Sequence, residues 1–284
     1  DKMCAVSDVS GIEEKLQHLS GNRQDRYRFI QADIASQAAA DDALKQADPD
    51  IVFHLAAETH VDRSIDSPKD FIESNIYGTF NLLESSLNHW QNLSETRRHN
   101  FRFHHISTDE VFGSLGEQGN FNEETRYKPQ SPYAATKASS DHLVRAWHNT
   151  YQLPTVISNC SNNYGPWQFP EKLIPLTIMK ALAVEEIPVY GDGSNVRDWL
   201  YVDDHVDALF RVATKGRIGD TYCIGGNSER SNKQVVEMIC SHLDQMIPQK
   251  SRYIDLMRFV KDRPGHDNRY AVDSSKIKKE LKWK

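Results

Sequence analysis

The sequence predicts an α/β fold built on a doubly wound parallel sheet, with a smaller mixed α/β lobe. Short apolar runs alternate with longer segments of helical periodicity, which is typical of repeated strand–helix–strand units. One run, DIVFHLAA over residues 50–57, is almost continuously apolar, as expected for a strand buried on both faces of a parallel sheet. The 284 residues suffice for one large domain or for a main domain with a small lobe.

The elements of the predicted core lie in the first half of the chain, and each follows from its own pattern. Runs rich in β-branched and aromatic residues predict strands at RYRFIQADI (26–34), DIVFHLAA, FRFHHIS from Phe101 and LPTVIS from Leu153. Segments with helical patterns predict an alanine-rich helix from about Ser36, a long helix that begins at Ser67 and Pro68, and another that begins at Ser131 with Pro132 near its start.

The character of the sequence changes after Asn159. The segment NCSNNYGPWQFPEKLIP is rich in Asn, Gly and Pro, and the elements that follow are shorter: IPVYGDGS, RDWLYVDDHVDALFRVA, DTYCIGG and a helix over about 232–246. We therefore predict a core of the dinucleotide-binding type over residues 1–160. Residues 161–284 are predicted to form mainly a substrate-binding lobe, whose elements interleave with the core.

Composition narrows the classes of partner. The net charge is -6 and the pI is near 6.1, and the basic residues are scattered, so we expect no nucleic-acid partner. No apolar stretch is long enough to span a bilayer and no signal-peptide pattern is present, so we expect no membrane association. The four cysteines have no zinc-type spacing, which predicts reduced thiols, a cytoplasmic protein and no metal site.

The pair Tyr133 and Lys137 is the first candidate for chemistry. Residues four apart on a helix share a face, and an ammonium beside a phenol favours the phenolate and lowers its pKa. Such a phenolate could take a proton from an alcohol. Chance Tyr and Lys pairs of this spacing are common on solvated helices. Thr108 lies at the carboxyl end of a predicted strand, and ligands bind at that edge of a doubly wound sheet. Its position favours a catalytic role for the Tyr133 and Lys137 pair.

Asp109 and Glu110 follow Thr108 directly. Two adjacent carboxyl groups repel each other and are expensive to bury. A pair of this kind more often caps a helix or lies in water, but its place at a strand end favours two carboxyl groups whose pKa values are pushed apart. One of them can then act as a base and the other as an acid.

Several motifs together resemble the extended short-chain dehydrogenase/reductases, a family with a Rossmann-type fold, and within it the nucleotide-sugar 4,6-dehydratases that act on dTDP-glucose. They occur in order along nearly the whole chain: HLAAETHVDRS, STDEVFG, SPYAATKASSDH, NCSNNYGPWQFPEKLIP, IPVYGDGSNVRDWLYVDDH and DRPGHD. The number and order of these motifs are far more specific than the Tyr and Lys spacing.

The resemblance implies an NAD-dependent lyase that dehydrates a nucleotide sugar for deoxysugar and polysaccharide synthesis. Tyr133, assisted by Lys137, would remove the proton from the hydroxyl on carbon 4 while Thr108 holds that oxygen and bound NAD takes the hydride. Glu110 would then remove the proton on carbon 5, and Asp109 would protonate the hydroxyl that leaves carbon 6. The hydride would return to carbon 6, so that the cofactor is regenerated.

The same resemblance implies the binding residues. Those for NAD are Asp1, Lys2, Met3, Cys4, Asp33, Ile34, Ala56, Ala57, Ser74, Tyr133, Lys137 and Asn163. Those for the sugar nucleotide are Thr59, His60, Thr108, Asn162, Lys172, Leu173, Pro188, Val189, Tyr190, Arg197, Asn232, Asp262, Arg263, Pro264, Gly265 and His266. Arginines offer fork-shaped donors to a diphosphate, and a tyrosine could stack on a base. His60 could equally be a structural hydrogen-bonding residue.

The glycine-rich turn of the family does not occur, and Asp1 matches the aspartate that follows that turn, so we expect a strand, the turn and a helix upstream of Asp1. The resemblance also implies a homodimer formed through the long helices over about 71–90 and 131–151. Two alternatives stay open. One is a related 4,6-dehydratase or a 4-epimerase for another nucleotide sugar, and the other is a non-catalytic homologue that only binds.

Overall fold

The computed structural model of this chain describes residues 2–3, 8–17 and 27–284. The predictions for Asp1 and Cys4 lie outside the described residues. Within the described residues, no helix combines the length and the apolar character needed to cross a membrane.

Nine strands run through the described part of the chain. They are β1 (Ile51–His54), β2 (Arg102–Thr108), β3 (Thr155–Cys160), β4 (Asn162–Tyr164), β5 (Ile187–Tyr190), β6 (Val196–Tyr201), β7 (Thr221–Ile224), β8 (Glu229–Ser231) and β9 (Met257–Val260). They form one four-stranded core sheet and two small sheets.

Eleven α-helices are described. They are α1 (Ser10–Gln17), α2 (Gln37–Ala47), α3 (Val61–Asp66), α4 (Pro68–Phe71), α5 (Gly78–Asn92), α6 (Glu95–Asn100), α7 (Pro132–Tyr151), α8 (Leu173–Leu182), α9 (Val202–Lys215), α10 (Asn232–Met246) and α11 (Ser275–Leu281). A π-helical segment, Ile72–Tyr77, joins α4 to α5, so the long helix predicted from Ser67 and Pro68 is one nearly continuous helical stretch.

Local sequence explains where the main helices begin. The Ser36 hydroxyl accepts a hydrogen bond from the Ala39 amide at the start of α2. Ser131 does the same for Ala134 at the start of α7, where Pro132 occupies the first turn without losing a hydrogen bond. A capping box between Ser231 and Gln234 begins α10.

The core sheet is parallel, with strand order β1-β2-β3-β7. Adjacent side chains of β2 and β3 point to opposite faces, so each strand contributes to two hydrophobic layers. Phe103 and Ile157 pack with α2, α5 and α7 on one face. Ile106 and Val156 pack with α9 and α11 on the other. Helices therefore cover both faces, which confirms the predicted doubly wound α/β class.

The smaller lobe contains two sheets. In the three-stranded sheet, β6 pairs in parallel with β4 and antiparallel with β8, and in the other β5 pairs with β9. This is the mixed lobe that the sequence predicts. The strand β7 follows the lobe strands in sequence but pairs with β3 in the core sheet. The division into residues 1–160 and 161–284, with interleaved elements, stays a prediction.

Two strand predictions need correction. Residues 27–34 form no strand, because no neighbouring strand among the described residues supplies the hydrogen bonds of a ladder. The strand predicted over residues 50–57 ends at His54, and Phe53 and Leu55 are exposed. Within the described sheet β1 lies at the edge, so an apolar run in the sequence did not mean burial on both faces.

Candidate active site

The candidate site begins at the carboxyl end of β2. Thr108 is the last residue of that strand, and a short 3₁₀ turn, Asp109–Phe112, follows it. The Thr108 hydroxyl accepts a hydrogen bond from the Glu110 amide at 3.2 Å and donates to Asp109 Oδ1 at 3.3 Å. One hydroxyl thus caps the turn, holding the Asp109 carboxyl group and the Glu110 backbone beside the strand end.

Helix α7 brings Tyr133 and Lys137 to the same place. Both side chains are buried, at 7% and 4% exposure, and the nearby Thr108 hydroxyl acts to lower the pKa of the Tyr133 phenol. The Lys137 ammonium donates to the Ile106 carbonyl of β2 at 2.8 Å. The sheet and one helix therefore bring together the five residues for which the sequence predicted chemistry.

The electrostatics of Tyr133 differ from the prediction. Burial, and next the nearby carboxyl group of Glu110, raise the pKa of Tyr133 well above its ordinary value. Lys137 was predicted to lower this pKa, but its ammonium points to the Ile106 carbonyl and its own pKa is lowered by burial. That prediction is wrong for the protein alone, because desolvation of the phenolate outweighs the attraction of one ammonium.

The two carboxyl groups have different surroundings. Burial and the neighbouring Glu110 raise the pKa of Asp109 well above its ordinary value, and Asp109 Oδ2 is buried without a hydrogen-bond partner. Burial also raises the pKa of Glu110, but the positive charges of Arg263 and Arg197 oppose that shift. Asp109 is therefore the group held protonated, and Glu110 is the one that ionises more readily.

A cavity of about 590 Å³ lies where the residues that follow β1 meet residues from the start of the chain. Seven of the residues predicted for the cofactor line it: Lys2, Met3, Asp33, Ile34, Ala56, Ala57 and Ser74. The small side chains of Ala56 and Ala57 leave backbone accessible there, and Asp33 Oδ1 accepts a hydrogen bond from the Ala35 amide at 2.9 Å. The volume and lining fit an extended cofactor whose one end lies against alanine backbone.

Three further predicted cofactor residues, Tyr133, Lys137 and Asn163, do not line this cavity. Tyr133 and Lys137 lie at the catalytic helix, described above. Asn163 lies in β4, where its amide donates to the Ser161 carbonyl at 3.0 Å while its Oδ1 atom is buried without a partner. An unsatisfied buried acceptor is costly, so this oxygen is a candidate contact for a ligand that donates a hydrogen bond.

The segment that follows β1 contacts the segment that precedes α8, and both contain residues predicted to bind the sugar nucleotide. The Lys172 ammonium donates to the Thr59 carbonyl at 3.2 Å, although the two residues are far apart in sequence. His60 Nδ1 accepts a hydrogen bond from the Arg63 amide at 3.3 Å and caps α3. His60 therefore makes a structural hydrogen bond through Nδ1, and its contact with a sugar stays a prediction.

Arg197 is buried at 5% exposure beneath the carboxyl pair. Its guanidinium donates to the Val196 and Asp267 carbonyls at 2.7 and 3.0 Å and lies 4.3 Å from the centre of the Tyr270 ring. A buried cation with fixed orientation is well placed to attract an anionic ligand.

The loop with the predicted residues Asp262, Arg263, Pro264, Gly265 and His266 lies opposite β5. An ion pair of 3.5 Å joins Arg263 to Asp62 of α3, and the Arg263 Nε atom is buried without a partner. The Tyr190 hydroxyl donates to Asp62 at 3.3 Å, and its ring lies edge-on to His266. Asp62 thus connects α3 both to this loop, through Arg263, and to β5, through Tyr190.

For five predicted residues the structure gives the location but shows no direct sign of ligand binding. Asn162 has a buried, unpartnered Oδ1 atom, and Leu173 and Asn232 are the first residues of α8 and α10. Pro188 and Val189 lie in β5, where Val189 is 1% exposed. The Val189 side chain belongs to the core of the lobe, so a ligand can reach this residue only through its backbone.

Sequence reasoning missed some residues that shape the site. Arg63 donates two hydrogen bonds to Glu171, at 2.9 and 3.0 Å, and this pair links α3 to the segment before α8. Asp62 and Asp141 were also missed. The partners lie up to 201 residues apart, so no local spacing could have revealed them.

Comparison with known proteins supports this picture. The profile of the family described as GDP-mannose 4,6 dehydratase matches residues 3–284. A dTDP-glucose 4,6-dehydratase of Neisseria gonorrhoeae is 54% identical over 279 residues, which cover 96% of this chain and 80% of that protein.

Solved structures of similar proteins have the same fold as this chain. A dTDP-glucose 4,6-dehydratase of Streptomyces venezuelae with NAD bound has a TM-score of 0.82 at 40% identity, over 93% of this chain and 76% of that one. The enzyme of the same name from Bacillus anthracis, in complex with NAD, has a TM-score of 0.84 at 38% identity, over 100% and 81%. The fold is thus the Rossmann-type fold of these enzymes.

Proposed function

We propose a function from one premise: this chain belongs to the family described as GDP-mannose 4,6 dehydratase. Within that family, its reaction is the conversion of dTDP-glucose to dTDP-4-keto-6-deoxyglucose and water, through an NAD that is regenerated in each turnover. The chain is therefore an NAD-dependent hydro-lyase. The relatives that support this specificity carry that name and are 54% identical over nearly the whole chain.

One observation carries the proposal. A phenol, a hydroxyl and two carboxyl groups of unequal pKa lie together at the end of one parallel strand. Oxidation of an alcohol needs the phenol and the hydroxyl, whereas elimination of water from the ketone needs a base and a separate acid. The site contains both sets.

The first step uses Thr108, Tyr133 and Lys137. Thr108 holds the oxygen on carbon 4, and Tyr133 takes the proton from it. Because the Tyr133 pKa is raised in the protein alone, Tyr133 needs added positive charge to act as a base. NAD, held by the residues predicted for it, would supply that positive charge and the capacity to accept and return a hydride.

The elimination step uses the carboxyl pair. Glu110, whose ionised form is stabilised by Arg263 and Arg197, takes the proton that the 4-ketone acidifies on carbon 5. Asp109, held protonated by burial and by its neighbour, delivers a proton to the hydroxyl that leaves carbon 6. The unequal pKa shifts of the two groups support Glu110 as the base and Asp109 as the acid, which is the assignment that the family resemblance implies.

Binding is assigned to the remaining predicted residues. The adenosine half of NAD would lie in the cavity lined by Asp33, Ile34, Ala56 and Ala57. Arg197, Arg263 and Lys172, whose charges all act on Glu110, would hold the diphosphate of the substrate. Tyr190 would stack on its base, since its ring is exposed beside the loop over 262–266.

The carboxyl pair also separates this function from a 4-epimerase. A UDP-glucuronic acid 4-epimerase of Bacillus cereus has a similar fold, with a TM-score of 0.82 at 27% identity. Epimerisation needs no acid to expel the hydroxyl on carbon 6. A protonated, buried Asp109 would have no task in such a reaction, whereas dehydration requires it.

Substrate preference tests the proposal. The protein should convert dTDP-glucose with a kcat/KM at least about tenfold higher than that for UDP-glucose or GDP-mannose, measured by the alkaline absorbance of the 4-keto product. A preference for either other nucleotide would move the chain to a sister dehydratase. Binding of the three sugars without turnover would favour the non-catalytic alternative.

We also propose a homodimer through α5 and α7. Phe80 lies on α5 and Tyr151 on α7, and the rings of both pack against Trp147. Tyr77, which is 59% exposed, ends the π-helical segment just before α5. A contiguous exposed aromatic surface favours association. In sedimentation experiments Phe80→Asp should shift the protein toward a monomer. The control Phe210→Asp, on the exposed face of α9, should leave it dimeric, and a monomeric parent protein would contradict the proposal.

We also propose that the protein is located in the cytoplasm, a reducing compartment, because its described thiols are not paired in disulfides. Cys160, Cys223 and Cys240 are free cysteines in the described part of the chain. Labelling of the unfolded protein with a thiol reagent, after isolation under non-reducing conditions, should modify all three. Protection of any of them would argue for a disulfide and against this location.

A further inference from the structure

Asp141 is a buried carboxylate that the proposed chemistry does not use. It lies on α7 one turn after Lys137, so the two side chains share a face of the helix. Asp141 is 0% exposed and Lys137 is 4% exposed. A carboxylate without access to water persists only where neighbouring groups compensate its charge.

Three groups hold Asp141 from three different elements. The Tyr127 hydroxyl donates to Asp141 Oδ2 at 2.6 Å, and the Asn159 amide of β3 donates to the same oxygen at 3.2 Å. His105 Nε2 of β2 lies 3.1 Å from Oδ1. Arg145 donates to the Tyr127 hydroxyl from behind, at 2.8 Å. Burial opposes ionisation of Asp141, but His105, the charge of Lys137 and the Tyr127 hydroxyl together lower its pKa, so it carries a negative charge near neutral pH.

Titratable groups face the Lys137 ammonium from β1, β2 and β3 and from its own helix. They are His54, His105, Cys160 and Asp141. Burial lowers the pKa of His54 well below its ordinary value and that of His105 to about 4, so both rings are neutral near neutral pH. Burial raises the pKa of the Cys160 thiol to about 12. Of these four groups, only Asp141 is charged near neutral pH.

We propose that Asp141 is a positioning residue that keeps the Lys137 ammonium charged and directed along the catalytic face of α7. The inference rests on the proposed function, in which that ammonium acts beside Tyr133. A buried ammonium without a counter-charge releases its proton and then cannot favour a phenolate. The network of Tyr127, Asn159 and His105 thereby acts on the chemistry through Asp141 and Lys137, one turn apart on the same face of α7.

The first test is a pH profile of Asp141→Asn, which keeps the shape of the side chain and removes its charge. On the alkaline side of the profile, the rate of single-turnover oxidation of dTDP-glucose falls with rising pH. In the variant this fall should begin at a pH about one unit or more below that of the parent protein. At the acid end of the range, the two rates should agree within about tenfold, because Lys137 is protonated there in both proteins. A purely structural defect would lower the rate at every pH and leave the alkaline limb in place.

The second test needs neither substrate nor cofactor. Urea unfolding is followed from about pH 7 to about pH 10 for the parent, Asp141→Asn, Lys137→Met and the double variant. Loss of Asp141 should lower the folded-state pKa of Lys137 further below its value in the unfolded chain. At alkaline pH the unfolded chain of the variant then binds more protons than its folded form. The stability that Asp141→Asn loses relative to the parent should therefore become smaller as the pH rises. In the Lys137→Met background, Asp141→Asn should cause a loss of stability that does not change with pH.

Each outcome decides the inference. A loss of stability that is the same at every pH and in both backgrounds, together with an unmoved alkaline limb, overturns it. Where Asp141→Asn fails to fold, restored folding of the double variant supports the inference and continued failure contradicts it. A parent protein that does not convert dTDP-glucose would defeat the proposed function, while the unfolding cycle would still judge the pairing of Asp141 with Lys137.

Discussion

Replacement of Glu110 by Gln isolates the elimination step. The amide keeps the size and planarity of the side chain but cannot accept the proton from carbon 5. General base catalysis contributes about 10²- to 10⁴-fold, which corresponds to about 3–5 kcal/mol of transition-state stabilisation. We expect kcat to fall by that factor, because Asp109 is held protonated and cannot replace the base.

The surroundings of Glu110 predict the effect on binding. Arg263, Arg197 and Lys172 all act electrostatically on this carboxyl group, and they are the residues proposed to hold the substrate diphosphate. Removal of a negative charge among three cations should leave KM unchanged or lower it. A loss confined to kcat is the signature of a group that acts in the transition state and not in binding.

The assay follows the near-ultraviolet absorbance of the reduced cofactor in a single turnover. Thr108 and Tyr133 are intact in Glu110→Gln, so oxidation should proceed and the reduced form should accumulate, whereas the parent protein shows no net accumulation. The control Glu117→Gln, at an exposed position in the following loop, should behave as the parent does. Full turnover by Glu110→Gln, or loss of the oxidation step itself, would refute the assignment of the base.

Three further predictions concern the core, pH and binding. Leu83→Ala should lower the free energy of unfolding by about 2–5 kcal/mol in urea titrations, since Leu83 is fully buried, whereas the exposed Leu182→Ala should cost less than about 0.5 kcal/mol. The pKa of buried His105 is lowered to about 4. As the pH falls, this ring therefore binds a proton in the unfolded chain before it does so in the folded protein. Stability should fall as the pH drops from about 6.5 toward 4, by up to about 3 kcal/mol for this one group, and a flat profile would contradict its burial as a neutral ring. Arg263→Ala should raise KM for dTDP-glucose about tenfold or more through loss of a charged hydrogen bond, with the surface control Arg258→Ala unchanged; equal KM values would remove Arg263 from the binding site.

Much of the catalytic centre could be predicted because its signals are local. Thr108, Asp109 and Glu110 are consecutive, and Tyr133 and Lys137 share one face of a helix with a clear start. A strand end and a helical spacing therefore suffice to place all five at the same edge of the sheet. The apolar alternation of strands and helices predicted the doubly wound class for the same reason.

What escaped prediction depends on burial or on distant partners. The raised pKa of Tyr133 follows from desolvation, which a residue pattern does not reveal. The pairing of Arg63 with Glu171 joins residues 108 positions apart. The segment 27–34 has the composition of a strand, but a strand exists only where a neighbour supplies hydrogen bonds.

The fate of the hydrogen on carbon 4 tests the central claim most directly, because only internal transfer and elimination together relocate it. The protein with bound NAD is given dTDP-glucose that carries deuterium on carbon 4, and the product is examined by NMR. The account predicts a 4-keto-6-deoxy sugar with the deuterium on carbon 6. Deuterium that stays on carbon 4 of an epimerised sugar, or that remains in the unchanged substrate, would contradict it.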